Sequence, residues 1–342
     1  MRIAINGFGR IGRLVVRALS ESQRAEHDGL EIVAINDLGS AADNAHLLRY
    51  DSVHGPFRGA VEVEDGQLVL RAEARPNLTP IATSAQADPA KLPWKNLAVD
   101  LVLECTGRFA SREQAAAHLS AGAARVLVSA PAKGADATIV YGVNHDQIAP
   151  DHRVLSNGSC TTNCLAPLVQ ILHRECGLVR GFMTTIHAYT GDQRPVDMLH
   201  SDLRRARAAA LSLIPTSTGA AKAIGLVLPE LDGKLDGTAI RVPSANVSLV
   251  DLVFQSDVPL SLEKIHDPVI AAAQGRLKHV LRVNHEPLVS VDFTHDPHSC
   301  IFDATQTQLV ERQMARVLAW YDNEWGFANR LLDVAAHLAA QR

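Results

Sequence analysis

Arg2-Ile3-Ala4-Ile5-Asn6-Gly7-Phe8-Gly9-Arg10-Ile11-Gly12 decides the fold of this chain. The first five residues read as a short buried strand, and the last six complete a G-x-G-x-x-G. Ile11, Leu14, Val15, Ala18 and Leu19 then recur at helical spacing. Glycines at 7, 9 and 12 permit a tight turn and a close backbone approach to a pyrophosphate, which rests on the helix N-terminus. Such a motif alone is short, but here it lies between a strand and a helix, the context it requires. A second strand, Glu31 to Asn36, runs into Asp37. An acidic residue there is placed to bind the ribose hydroxyls of an adenosine and to repel a 2′-phosphate, which favours NAD over NADP. Asp37-Leu38-Gly39-Ser40 is also good turn chemistry, so a plain turn aspartate is the competing reading.

Working outward, strands and helices alternate. Val99 to Glu104 reads as a strand opening into the small-residue loop Cys105-Thr106-Gly107, which faces the cofactor in this reading. Ser111 to Gln114 has capping-box spacing and starts an alanine-rich helix through Ala121. Arg125 to Ser129 and Thr138 to Val143 read as further strands. This alternation predicts a parallel, doubly wound sheet. Residues from about 45 to 90 are less regular and are expected to form excursions and short antiparallel strands.

Ser156-Asn157-Gly158-Ser159-Cys160-Thr161-Thr162-Asn163-Cys164 follows the strand-like Arg153-Val154-Leu155. It opens a helix pattern at Leu165, Leu168, Val169 and Leu172. Cys160 is thereby placed at a helix start, where unpaired N–H groups and the dipole stabilise a thiolate. An inert buried cysteine is the ordinary alternative. Cys164 lies one turn further along and reads as packing. Beyond this helix the pattern changes. Gly181 to Ile186 is a strand candidate ending in His187, followed by a polar segment to about residue 213 that carries Arg204, Arg205 and Arg207. Its length suggests function, with a solvated surface helix as the alternative. Pro215-Thr216-Ser217-Thr218-Gly219 caps a helix from Ala220 to Leu228, a second ready anion site. Strands at Ala239–Val242, Val247–Phe254, Leu288–Phe293 and Arg316–Tyr321, with a helix from Leu262 to Gln274, predict a largely antiparallel sheet. A helix from Phe327 to Ala340 closes the chain.

The 342 residues, 47% hydrophobic and 20% charged, fit a globular protein of one large or two ordinary domains. A net charge of −4 gives no basic surplus for nucleic acid. No apolar run reaches a membrane span. Residues 1–7 enter the motif at once, so no signal peptide is expected. Five cysteines at irregular spacing form neither a disulfide framework nor a metal site, which points to a reduced, cytoplasmic protein. One reaction uses the whole inventory. A thiolate attacks an aldehyde, hydride leaves to a nicotinamide, and an acceptor releases the resulting thioester, with His187 as acid and base.

Five stretches carry a resemblance. Asn6 to Arg13, Ser159 to Pro167, His187 to Thr190, Ser217 to Lys222 and Trp320 to Gly326 all resemble the phosphorylating glyceraldehyde-3-phosphate dehydrogenase family, most closely its bacterial members. The resemblance runs through essentially the whole chain in order. It implies an α/β architecture: a Rossmann-type, parallel-sheet NAD-binding domain over 1–159, and an α+β catalytic domain with a mainly antiparallel sheet over 160–323. The C-terminal helix, 324–342, would pack back onto the first. It implies Cys160 as nucleophile and His187 as its acid–base partner. Thr190, Arg205 and Arg241 would hold phosphate groups, and Ser159, Thr161, Thr218 and Gly219 the attacking inorganic phosphate. Arg10, Ile11, Asp37 and Ser129 would line the NAD site beside Gly7, Gly9 and Gly12, and Asn323 would position the nicotinamide carboxamide. No metal is implied. Segment 188–213 resembles the family's S-loop, at a subunit interface of a homotetramer. Gly158, Leu199, Ala245 and Ala87 depart from common family residues without removing a catalytic group, though Leu199 bears on the preference for NAD over NADP. The rival readings are an erythrose-4-phosphate dehydrogenase, which releases its thioester to water, and a catalytically silent NAD-binding protein. Thr218 and Gly219 argue against the first, and Cys160 with His187 against the second.

Overall fold

The computed structural model describes residues 1–76 and 78–341. The chain divides into two compact units. Residues 1–141, 145–159 and 328–342 form the first, and residues 142–144 and 160–327 the second.

The first unit is built on a nine-stranded sheet among the described residues. Its order is Ala137–Thr138, Val154–Ser156, Arg125–Val128, Leu101–Glu104, Arg2–Asn6, Glu31–Asn36, Ile81–Ser84, Gln67–Ala72 and Gly59–Glu64. The first seven of these run parallel to their neighbours, and the last two pair antiparallel. Strand Arg2–Asn6 lies inside the sheet, so its Ile3, Ala4 and Ile5 are wholly buried, as a parallel strand covered on both faces requires. The helix Arg10–Glu21 follows it, burying Leu14, Val15, Ala18 and Leu19. Residues 59–72 form the antiparallel excursion expected of the irregular stretch.

The second unit carries a seven-stranded sheet among the described residues. Its order is Ile214–Ser217, Leu235–Val242, Leu178–Ala188, Ser248–Ser256, Met314–Tyr321, Cys300–Val310 and Leu281–Asn284. Most pairings are antiparallel. The pair Leu178–Ala188 with Leu235–Val242 is parallel and brings His187 opposite Arg241. The helix Cys160–Cys176 packs on this sheet, with Leu165, Leu168, Val169 and Leu172 wholly buried.

Several expected elements differ. Of the expected strand 138–143 only Thr138 lies in a ladder, within the short strand Ala137–Thr138, and Gly142, at φ +85°, turns the chain soon after. Residues 288–293 form no strand. Asp292 accepts the Val289 N–H at 2.8 Å, a local bond that nucleates the short 3₁₀ turn Ser290–Phe293. The long strand Cys300–Val310 escaped the sequence reading because its second half, Thr305 to Gln308, is polar on both faces. Residues 111–121 break into two short helices, Arg112–Ala115 and Ala117–Ser120, with Ser111 capping through the Gln114 N–H at 3.2 Å. Segment 188–213 contains turns and bends and no helix among the described residues.

Candidate active site

Cys160 is the first residue of its helix and His187 the penultimate residue of the strand Leu178–Ala188. Their side chains meet, with Cys160 Sγ 3.4 Å from His187 Nε2. Two atoms lie close to the other ring nitrogen: the Ala188 carbonyl at 2.7 Å and Arg241 Nη1 at 2.7 Å. Arg241 arrives there because it is the register partner of His187 in the parallel ladder, and such partners share a face. Its Nη1 also donates to Ala188 O at 3.0 Å, while its Nε is buried without a partner. Burial first, and Arg241 second, push the His187 imidazole down to about 3. Burial also pushes the Cys160 thiol up, opposed by the Arg241 charge and by the N–H and hydroxyl of Thr161. The sequence reading of a stabilised thiolate named the helix start and omitted this burial, which is the larger effect in the free chain. Tyr321 closes the floor. Its hydroxyl lies 2.9 Å from both Thr161 Oγ1 and Thr185 Oγ1.

The anion candidates fall into distinct settings. Arg205 donates to Asp192 at 2.6 Å, Thr216 Oγ1 at 2.8 Å and Ser217 O at 3.3 Å. It lies close enough to Arg241 for the two charges to oppose each other. Thr190 donates its N–H and hydroxyl to Gln193. Thr218 Oγ1 accepts the Ala220 N–H at 3.2 Å, and exposed Gly219 opens the helix Ala220–Val227 with clear space around its Cα. Thr161 is nearly buried, and its hydroxyl turns to Tyr321. Asn323 Oδ1 accepts the Ser248 hydroxyl at 2.9 Å, and the same Ser248 oxygen accepts the Ala188 N–H at 3.1 Å. Tyr321, Ser248 and Asp192 are site residues the sequence reading missed. Tyr321 lay inside a quoted motif, but only pairing of the strands sets it beneath the thiol.

In the first unit, a cleft of about 290 Å³ opens at the carboxyl ends of the parallel strands. Gly7, Gly9 and Asp37 line it, together with Asn6, Asn36 and Thr106. A Cβ at Gly7 would stand 2.6 Å from Thr106 N, and one at Gly12 would stand 2.3 Å from Gly7 O. Both glycines are therefore required by packing. Gly9, with open space around it, caps the helix without any side-chain bond, and the first turn carries no acidic residue. No capping side chain or carboxylate therefore competes with an anion at this helix start. Asp37 accepts the Phe8 N–H at 2.8 Å and the Gly39 N–H at 2.9 Å, so both the turn and the ligand-facing readings describe it. Arg10 and Ile11 occupy the first helical turn outside the cleft lining. Arg10 pairs with Asp51 at 2.6 Å. Burial raises the Asp51 carboxyl, but the N–H groups of His54 and Val53 and the Arg10 charge outweigh it and hold the group at about 2. Ser129 lies near the thiol of Cys105, which lines the cleft and which burial pushes up to about 12.

Comparison with known proteins decides the family. Residues 1–112 match the model of the glyceraldehyde 3-phosphate dehydrogenase NAD binding domain, and residues 159–323 match that of its C-terminal domain. The chain belongs to the glyceraldehyde-3-phosphate dehydrogenase family. A Xanthobacter flavus protein named glyceraldehyde-3-phosphate dehydrogenase is 57% identical over 335 residues, 98% of this chain and 97% of its own. One of the same name from Pseudomonas aeruginosa is 57% identical over 342 residues, 100% of this chain and 99% of its own. A third, from Geobacillus stearothermophilus, is 50% identical over 342 residues, with the same coverage. As a glyceraldehyde-3-phosphate dehydrogenase family member the chain is an NAD-dependent oxidoreductase, with the two-sheet architecture described above. The uncapped helix start and the glycine cradle fit the pyrophosphate of NAD, and Asp37 lines the same cleft. Among the described residues no group of three or more potential ligands could hold a metal ion, and no helix is long and apolar enough to cross a membrane.

Proposed function

We propose that this chain oxidises D-glyceraldehyde 3-phosphate to 1,3-bisphosphoglycerate in glycolysis and gluconeogenesis, through a thioester on Cys160. The contact that carries the reading is the Cys160–His187 pair at 3.4 Å with the Arg241 guanidinium beside it. A nucleophile, a base and a cation are assembled in one cluster. Cys160 Sγ bonds the aldehyde carbon, and the thiol proton passes by way of His187 to the aldehyde oxygen, giving a hemithioacetal. His187 Nε2 then accepts the hydroxyl proton as hydride leaves the same carbon. Bound NAD supplies the acceptor for that hydride. Inorganic phosphate attacks the thioester carbon, Cys160 leaves as thiolate, and the acyl phosphate is released.

Thr190, Arg205 and Arg241 hold the substrate phosphate in this reading. Ser159, Thr161, Thr218 and Gly219 hold the attacking phosphate, which requires the Thr161 hydroxyl to turn from Tyr321. Asn323 holds the nicotinamide carboxamide, and Arg10, Ile11, Asp37 and Ser129 surround the cofactor. Because Arg241 is one of the two forces holding His187 low, a substrate phosphate on Arg241 relieves it, and the base strengthens as substrate arrives. We place the protein in the cytoplasm, supported by its five free thiols, and assign it a homotetramer.

The deciding assay saturates the enzyme with the three-carbon and four-carbon phosphorylated aldehydes, with and without inorganic phosphate. We expect phosphate-dependent NADH formation on the three-carbon substrate. Phosphate-independent turnover on the four-carbon aldehyde would overturn the assignment in favour of an erythrose-4-phosphate dehydrogenase.

A further inference from the structure

Beneath the cleft of the first unit runs a chain of buried side chains that the reaction does not use. Glu104 ends the strand Leu101–Glu104 and is 1% exposed, while His118 and Trp94 are at 0%. The direction of every bond follows from groups that have no alternative role. Trp94 Nε1 only donates and lies 3.0 Å from His118 Nδ1, so Nδ1 accepts. The ring proton is therefore on Nε2, 3.0 Å from Glu104 Oε2, and is donated there. Asn36 Oδ1 accepts the Ser84 hydroxyl at 2.9 Å and the Gln86 N–H at 2.8 Å. Its Nδ2 then donates to Asn6 Oδ1 at 2.7 Å. This turns Asn6 Nδ2 onto Glu104 Oε2 at 2.6 Å.

Thr106 completes the set. Its N–H reaches Glu104 Oε1 at 2.8 Å, and its hydroxyl donates to the same oxygen while accepting the Arg108 N–H at 3.0 Å. Glu104 thus receives four hydrogens from neutral donors. An ionised carboxylate fits this set. A carboxamide would turn its NH2 either onto Asn6 and His118 or onto the Thr106 N–H, a donor facing a donor in both orientations.

We propose that Glu104 is a positioning residue for NAD. It acts through Asn6 and Thr106, which line the cleft, and it pins the loop from Cys105 to Arg108 against Gly7, whose Cα approaches Thr106 too closely for any side chain. Trp94 sets the proton pattern through His118. The inference rests on the reading of this cleft as the NAD site.

The test uses the full chain carrying Glu104→Gln. The KM and Kd for NAD are expected to rise about tenfold, with kcat at saturating NAD within about twofold of wild type. The alkylation rate of Cys160 without NAD stays unchanged. The ring ¹⁵N signals of His118 report the Nε2–H tautomer in the wild type. Thr106→Val, a milder change that keeps the backbone N–H bond, raises the NAD Kd in the same direction by a smaller factor, and serves if the first variant does not fold. Asp37→Ala is the control for the cleft itself. If it weakens NAD binding while Glu104→Gln and Thr106→Val do not, the positioning role is wrong and the cleft reading stands. If none of the three weakens NAD binding, the cleft reading falls and takes the proposal with it. A His118 Nδ1–H tautomer, or a loss of kcat and stability with no change in NAD affinity, also overturns the proposal.

Discussion

Arg241 acts on both members of the catalytic pair, and in chemically opposite senses. Its charge favours the thiolate of Cys160 and disfavours the imidazolium of His187. Replacing it with leucine leaves the Thr161 N–H and hydroxyl to oppose burial of the thiol, so the thiolate fraction falls. Alkylation of Cys160 by iodoacetamide at pH 8 should then slow roughly tenfold, the effect of about one pKa unit. An unchanged rate would show that Arg241 does not tune the thiol. His187 carries a second consequence. In the unfolded chain a histidine takes up its proton near pH 6.5, whereas in the fold it does so only near 3. Between these values the unfolded state binds the additional proton, so stability falls as pH is lowered from about 6.5 towards 3 and is untouched above that window. His187→Asn lacks this linkage. Urea unfolding of wild type and variant at pH 8 and pH 5 should show a smaller loss of stability on acidification for the variant. Equal losses would contradict the buried, neutral imidazole.

At the scale of elements, the last helix, Trp325–Ala340, depends on one carboxylate. Asp333 is buried and bonds Arg24 at 2.6 Å, His27 at 2.9 Å and Arg330 at 2.7 Å, all within the first unit. Removing it takes the carboxylate from the buried Arg330 guanidinium, while Arg24 keeps Glu26 at 3.8 Å. Asp333→Ala should therefore destabilise the first unit by about 3–5 kcal/mol, measured by denaturant unfolding. A change under about 1 kcal/mol would mean that apolar packing of the helix suffices. The same scale explains which elements the sequence displayed. Arg2–Asn6, Arg10–Glu21 and Cys160–Cys176 carry uninterrupted apolar patterns and capping or glycine signals, so each was legible within a residue or two. The half-polar strand Cys300–Val310 and the 3₁₀ turn Ser290–Phe293 were not. Pairing with Met314–Tyr321 makes the first a strand, and a single side-chain bond makes the second a turn.

On the scale of the molecule, segment 188–213 presents Val196, Met198, Leu199, Leu203, Leu211 and Leu213 as exposed apolar side chains, Leu199 at 94%. Single exposed leucines need no explanation, but six in one irregular segment mark an association surface. This is the support for the proposed homotetramer. The double variant Leu199→Glu with Leu211→Glu should sediment as smaller species at micromolar concentration while each unit keeps its fold by circular dichroism. A tetramer that survives both charges would place the interface elsewhere.

By itself, the sequence determined the strand–glycine–helix unit at the N-terminus, the alternation that makes the first sheet parallel, and the placing of Cys160 at a helix start. These are local signals, written in periodicity and in the conformational freedom of glycine. The tertiary structure alone decided the chemistry between residues distant in the chain. His187 meets Arg241 because two strands pair in parallel register, and Tyr321 reaches Thr161 because a third strand lies in the same sheet. Glu104 collects its donors from Asn6, Thr106 and His118 in the same way. Register and burial are properties of packing, and burial is what moved the thiol and the imidazole away from the values their residue types suggest.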